Sequence, residues 1–167
     1  MSSRYIMIHE AFLFYDGASV GSYIVVFIHN PGGQIAFARL LGDEKWTRLP
    51  SHRYFQDCIY EDGLLYAVTS FGEIVAFDLN GAVVTTKIIL DRVNKFSGRE
   101  RFYIQAPWGD LLQVRRPEVW IKKEADGHQH QATFENKIKW MEIYKVCGVT
   151  RTLEQINNLG SCIVSRE

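Results

Sequence analysis

A chain of 167 residues with 47% hydrophobic and 23% charged side chains is long enough for one packed core and too apolar for a disordered polymer. Nineteen Lys and Arg cancel nineteen Asp and Glu, so no whole-molecule field draws the chain to nucleic acid or to a membrane surface. Cys58, Cys147 and Cys162 form no Cys-x-x-Cys pair, which argues against a disulfide framework and a zinc knuckle, and no run approaches the roughly 18 apolar residues of a membrane span.

Taken in chain order, β-branched and aromatic enrichment predicts twelve strands in three groups of four. The first group covers 5–15, 23–28, 35–40 and 46–49. The second covers 55–60, 64–69, 73–79 and 83–90. Its turns carry their own signals, because Asp62-Gly63 and Asn80-Gly81 stand where a tight hairpin needs positive φ. The third covers 102–106, 111–116, 138–146 and 153–157, with 151–159 as the one helical competitor, weakened by Asn157-Asn158. Between its second and third strands, 117–137 is rich in Lys, Glu, His and Gln, has no sustained period and reads as a loop insertion.

A strand, a glycine turn and a second strand recur at Gly33, Gly72 and Gly109, 39 and 37 residues apart. A period of about forty residues built from such hairpins is the signature of a β-propeller, one blade to each repeat. The expected fold is therefore all-β, a single domain over 1–167 forming a partial β-propeller of about three four-stranded antiparallel blades. Three blades are too few to close a ring, since propellers have about four to eight, so unpaired strand edges are expected to be exposed.

Among groups that could do chemistry, Asp57, Asp62, Glu73, Asp78 and Asp110 are candidates for the carboxylate pair of a propeller glycosidase, which needs a separation of about 5–9 Å. Asp62 and Asp78 stand at turns, where aspartate caps backbone groups. Asp57 is the best of the set because the first strand of a blade lines the channel, yet a hydrogen bond to a neighbouring strand is its favoured role. His128 and His130 could share a metal only with a third ligand that the nearby sequence does not supply. No catalytic residue, metal site or cofactor is expected. The stretch 87–123 holds nine basic residues against four acidic ones, with Phe96, Trp108 and Trp120 interleaved. Such a patch suits an acidic protein partner better than a nucleic acid, because the whole chain is neutral and the patch is local. Trp46 and Trp140 are expected to pack between blades, while Trp108 and Trp120 are candidates for exposed anchors of an interface, Trp108 being equally a candidate for a turn residue folded back on its own hairpin.

Several segments together resemble the C-terminal domain of a large plant family of F-box proteins. They include Ala36-Phe37, Trp46-Thr-Arg-Leu49, Phe55-Gln-Asp57, Phe77-Asp-Leu79, Tyr103-Ile-Gln-Ala-Pro-Trp-Gly-Asp110 and Met141-Glu-Ile-Tyr144. That domain is a kelch-like β-propeller, and the resemblance covers roughly 11–160. It implies a non-enzymatic protein-interaction module, like the substrate-recognition domain of F-box ubiquitin-ligase adaptors, with a cytoplasmic or nuclear location. Partner contacts are expected from Trp108, Asp110, Arg115, Arg116, Trp120, Lys122 and Lys123. The sequence gives no support for an Skp1-type adaptor as partner, since no leucine- and proline-patterned F-box segment precedes the first strands. It also ends where the family continues with further strands, as in a truncated propeller. The alternatives are a carbohydrate-active or hydrolytic propeller, or a fragment without independent function.

Overall fold

The computed structural model describes residues 7–17, 21–92, 100–117, 119–123, 133–137 and 141–156. Blade one is built from β1 (Met7–Tyr15), β2 (Tyr23–Asn30), β3 (Gln34–Arg39) and β4 (Thr47–Arg48). Blade two is β5 (Phe55–Glu61), β6 (Leu64–Thr69), β7 (Ile74–Asp78) and β8 (Thr85–Leu90). Blade three begins with β9 (Glu100–Gln105) and β10 (Leu112–Pro117), joined through a 3-10 turn at Pro107–Gly109. A separate hairpin, β11 (Val119–Lys123) and β12 (Thr133–Lys137), follows, and β13 (Glu142–Cys147) with β14 (Thr152–Gln155) completes the blade. The chain is thus all-β, three four-stranded antiparallel meanders forming a sector of a propeller. All twelve expected strands are present, and β14 stands where a helix competed.

The alternation of side chains explains why the blades differ. In β1 the core-facing residues, Phe12 and Phe14 among them, alternate with exposed ones, because only one face is covered. In β7 the first four residues are all buried. A strand covered on both faces reads as a continuous apolar run. Ile24, Val26, Ile28, Ile35 and Phe37 of blade one meet Leu65, Ala67, Val75 and Phe77 of blade two in one cluster. Val68 and Ile74 on the other side of blade two meet Phe102, Ile104 and Val146 of blade three in a second. Phe55 and Phe77 meet edge to face at 5.8 Å. Full burial of each such side chain contributes roughly 1.5–3 kcal/mol.

The turns follow backbone chemistry only in part. Asp62 (φ 49°) and Gly63 (φ 82°) both occupy the left-handed region, as the two central residues of a type I′ hairpin must. Asn80-Gly81 does not form the second such turn. Asp78 Oδ1 instead accepts from the Asn80 N–H at 2.9 Å, and the chain runs on to Thr85 before pairing again. The side chain of Asp78 thereby replaces the tight turn with a longer loop.

The inner strands β1, β5 and β9 run parallel to one another, as their contacts show. Tyr60 near the end of β5 meets Asp16 just past the end of β1. Phe55 at the start of β5 donates its N–H to Gly33 O at 3.0 Å in the β2–β3 turn. Blades stack face to face, and each four-stranded sheet keeps two edge strands that pair on one side only among the described residues, as expected of a sector.

Candidate interaction surface

Two side chains on β5 tie blade two to blade three. Gln56 Oε1 accepts from the Phe102 N–H at 2.9 Å, and Asp57 Oδ2 accepts from the Ile104 N–H at 2.9 Å. The other oxygen of Asp57 accepts from the Cys58 N–H at 2.9 Å. Burial pushes the Asp57 carboxyl up to about 6, against the opposing pull of those two N–H groups. Both oxygens of the channel-side carboxylate are thus engaged with backbone, the role favoured for it in the sequence. Blades one and two are tied by Asp16, which pairs with Arg39 at 3.3 Å and accepts from the Tyr60 hydroxyl. Arg39 also donates to Leu79 O at 2.6 Å. Burial, followed by the bond to Asp16, pushes the Tyr60 phenol up to about 12.

Blade three carries the charged residues singled out from sequence, and it does not bring them together. Trp108 lies in the 3-10 turn and Asp110 just beyond it, before β10 begins. Arg115 and Arg116 lie near the far end of β10, and Trp120, Lys122 and Lys123 on β11 beyond that. Four residues separate Asp110 from Arg115, five steps that span roughly 17 Å at a rise of about 3.3 Å per residue. The side chains of Trp108, Trp120, Lys122 and Lys123 lie outside what is described. So do all of Lys95, Phe96, Arg99, His128, His130, Trp140 and Cys162. Among the described residues no group of His, Cys, Asp or Glu is arranged to hold a metal.

Arg115 is an internal cation. It donates to Glu100 Oε1 and Glu142 Oε2, each at 2.8 Å, with 17% of its side chain exposed. Tyr144 donates its hydroxyl to the same Glu142 oxygen at 2.7 Å. Burial lowers the Arg115 guanidinium, but its two carboxylate partners outweigh that and hold it above its ordinary value. Its charge is directed into the blade. Arg116 sits on the opposite side of the strand with its guanidinium 5.8 Å from the Tyr103 ring, and Asp110 pairs with Lys145 at 2.8 Å, both well exposed. Glu100, Glu142 and Lys145 were not foreseen. The strand pairing Arg115↔Glu142, between residues 27 apart, is the signal that could have found them, and only a correct β10–β13 register supplies it.

A further site was absent from the sequence reading. On the open face of blade one, Phe27 and Trp46 stack with ring centres 4.5 Å apart, beside a cavity of about 270 Å³ lined by Ile8, His29, Ala36 and Arg48. Trp46 therefore packs on its own blade and remains half exposed, which corrects the expectation that it covers a neighbouring one.

The family described as KIB1-4 beta-propeller matches residues 1–166, practically the whole chain. The chain belongs to the KIB1-4 β-propeller family. No curated protein and no solved structure matches it. For this KIB1-4 propeller the family match and the three observed blades agree on architecture, and the chemistry of any contact must come from the surfaces described above.

Proposed function

We propose that this KIB1-4 propeller is a non-enzymatic protein-interaction module, kelch-like and similar to the substrate-recognition domain of plant F-box ubiquitin-ligase adaptors. The observation that carries this reading is the β11–β12 hairpin. It interrupts blade three between its second and third strands and forms a sheet of its own, outside the three blades. A blade needs no such excursion to pack. Its two five-residue strands contain Trp120 together with Lys122, Lys123 and Lys137 against the single carboxylate of Glu135, a composition suited to an acidic protein surface. Capture would rest on shape and charge complementarity, with no bond chemistry.

The structural engagement of the carboxylates supports the same reading. Asp57 bridges backbone groups, Glu73 pairs with Arg53 at 2.6 Å, Asp78 caps Asn80, and Asp110 pairs with Lys145. Because the hairpin and the Trp108 turn lie at opposite ends of β10, they are two separable contact regions. Pull-down from native extract with mass spectrometry, using the wild type, a Trp120→Ala/Lys122→Glu/Lys123→Glu variant and a Trp108→Ala variant, tests this. The triple variant is expected to lose partner recovery at least about tenfold, the order of one interface anchor, while keeping its β circular dichroism. Undiminished recovery in the triple variant would remove the hairpin from the site. An Skp1-type adaptor probed in the same experiment reports on ligase membership.

A further inference from the structure

Blade two presents an exposed aromatic ring on a firmly held turn. Phe71 stands between β6 and β7, and the buried Thr69 organises that turn. Thr69 Oγ1 accepts from the N–H groups of Phe71 at 3.3 Å and of Glu73 at 3.2 Å. Thr69 O accepts from the Gly72 N–H at 3.0 Å, and the Thr69 N–H donates to Glu73 O at 2.9 Å. With its backbone fixed in this way the Phe71 ring stays outside the core, 42% exposed. Tyr54, also well exposed, lies beside the turn, since its carbonyl accepts from the Ser70 N–H at 2.9 Å.

Arg92, just past β8, lays its guanidinium over the Phe71 ring, 3.8 Å from the ring centre. Stacking orders the long side chain before any partner arrives and leaves its N–H edge available to a planar carboxylate. The carboxylates near it in sequence are engaged elsewhere. Glu73 pairs with Arg53 at 2.6 Å and Asp91 with Arg151 at 3.6 Å. Among the described residues Arg92 therefore has no acidic partner, in contrast to Arg39, Arg53 and Arg115.

We infer that Arg92, Phe71 and Tyr54 form a receptor for an acidic segment of a protein partner. Arg92 grips one carboxylate of that segment through its forked N–H edge, and an apolar side chain next to the carboxylate packs on the two rings. Charge decides the kind of partner. At this end of the sector the connections between strands carry eight Lys and Arg against six Asp and Glu, whereas those at the other end carry two against five. A nucleic acid needs a row of cations along its backbone, while one guanidinium between apolar rings suits one carboxylate beside an apolar residue. Phe71 lies in the connection between the second and third strands of blade two, which in blade three is the hairpin, so both project from the same end. The inference rests on reading the chain as a module for an acidic partner, and it gives that partner a second point of contact.

NMR titration of the isotope-labelled chain with a blocked peptide, one phenylalanine flanked by two glutamates on each side, is the test. The Arg92 Nε–H signal and the amides of Tyr54 and Phe71 are expected to move, and the matching glutamine peptide to leave them in place. Arg92→Gln should weaken the glutamate peptide at least about tenfold, the order of one charge-assisted hydrogen bond. Arg92→Lys keeps the charge without the fork, and Phe71→Ala keeps the arginine without its support. Each should weaken binding about threefold or more with unchanged circular dichroism. Equal affinity in the wild type and Arg92→Gln would overturn the inference, as would an equal response to the glutamine peptide. Hexauridylate moving these signals where the glutamate peptide does not would also overturn it, in favour of a nucleic acid. Shifts confined to the hairpin would remove the receptor and leave the proposed function standing, whereas shifts at Arg92 without the hairpin would support the receptor alone.

Discussion

Asp57 links protonation to stability with a definite sign. Its folded value, about 6, lies above the ordinary carboxyl value of 3.8, because burial disfavours the charged form. The stability it contributes is therefore complete below about 4 and is lost as pH rises through 6, a difference of at most about 3 kcal/mol at roughly 1.4 kcal/mol for each unit. Urea unfolding between pH 4 and 7 should show the wild type losing stability across that window, while Asp57→Asn gives a flatter profile. The amide offers one acceptor where the N–H groups of Cys58 and Ile104 converge, so the variant should also be weaker at pH 4 by about 1–2 kcal/mol. An Asn variant that keeps the wild-type slope would show that another group titrates. Arg115 illustrates how a residue's charge can be visible in sequence while its availability is not. Two carboxylates enclose it, so an arginine counted toward a basic patch works as a brace within blade three.

At the scale of elements, the hairpin turn at Asp62-Gly63 has little freedom to change. Gly63 sits at φ 82°, and a Cβ built there would lie 1.8 Å from Asn80 Nδ2. Gly63→Ala should lower stability by about 1–2 kcal/mol in thermal unfolding, from the left-handed backbone alone, with a further penalty for displacing Asn80. An unchanged midpoint would mean that the turn re-forms in another geometry. The same turn was legible in sequence because its signal is local, a dipeptide whose backbone preference needs no partner. Asn80-Gly81 carries a similar dipeptide signal but forms no such turn, because the Asp78 side chain two residues before Asn80 offers a competing bond. The strands were legible for a related reason, since alternation and β-branching are written along each one. Pairings between distant segments were not. Arg115 with Glu142, Asp57 with Ile104 and Phe27 with Trp46 each require a register or a blade-to-blade placement that no spacing along the chain encodes.

Across the whole molecule the blades are not equally held. Blade two supplies both apolar clusters, whereas among the described residues blades one and three each join one. Native-state hydrogen exchange should therefore find the slowest amides in β6 and β7 and faster exchange in β1 and β14. Uniform protection would argue that the three blades open as one unit. The seam between blades two and three has a property that bears on how such a sequence can drift. Gln56 and Asp57 reach across to the peptide N–H groups of residues 102 and 104, and a peptide N–H is the same whatever side chain follows it. Descendants of this chain can exchange Phe102 and Ile104 for other residues that fill the core, and the latch would still close. Proline alone, having no N–H to offer, is barred from both positions.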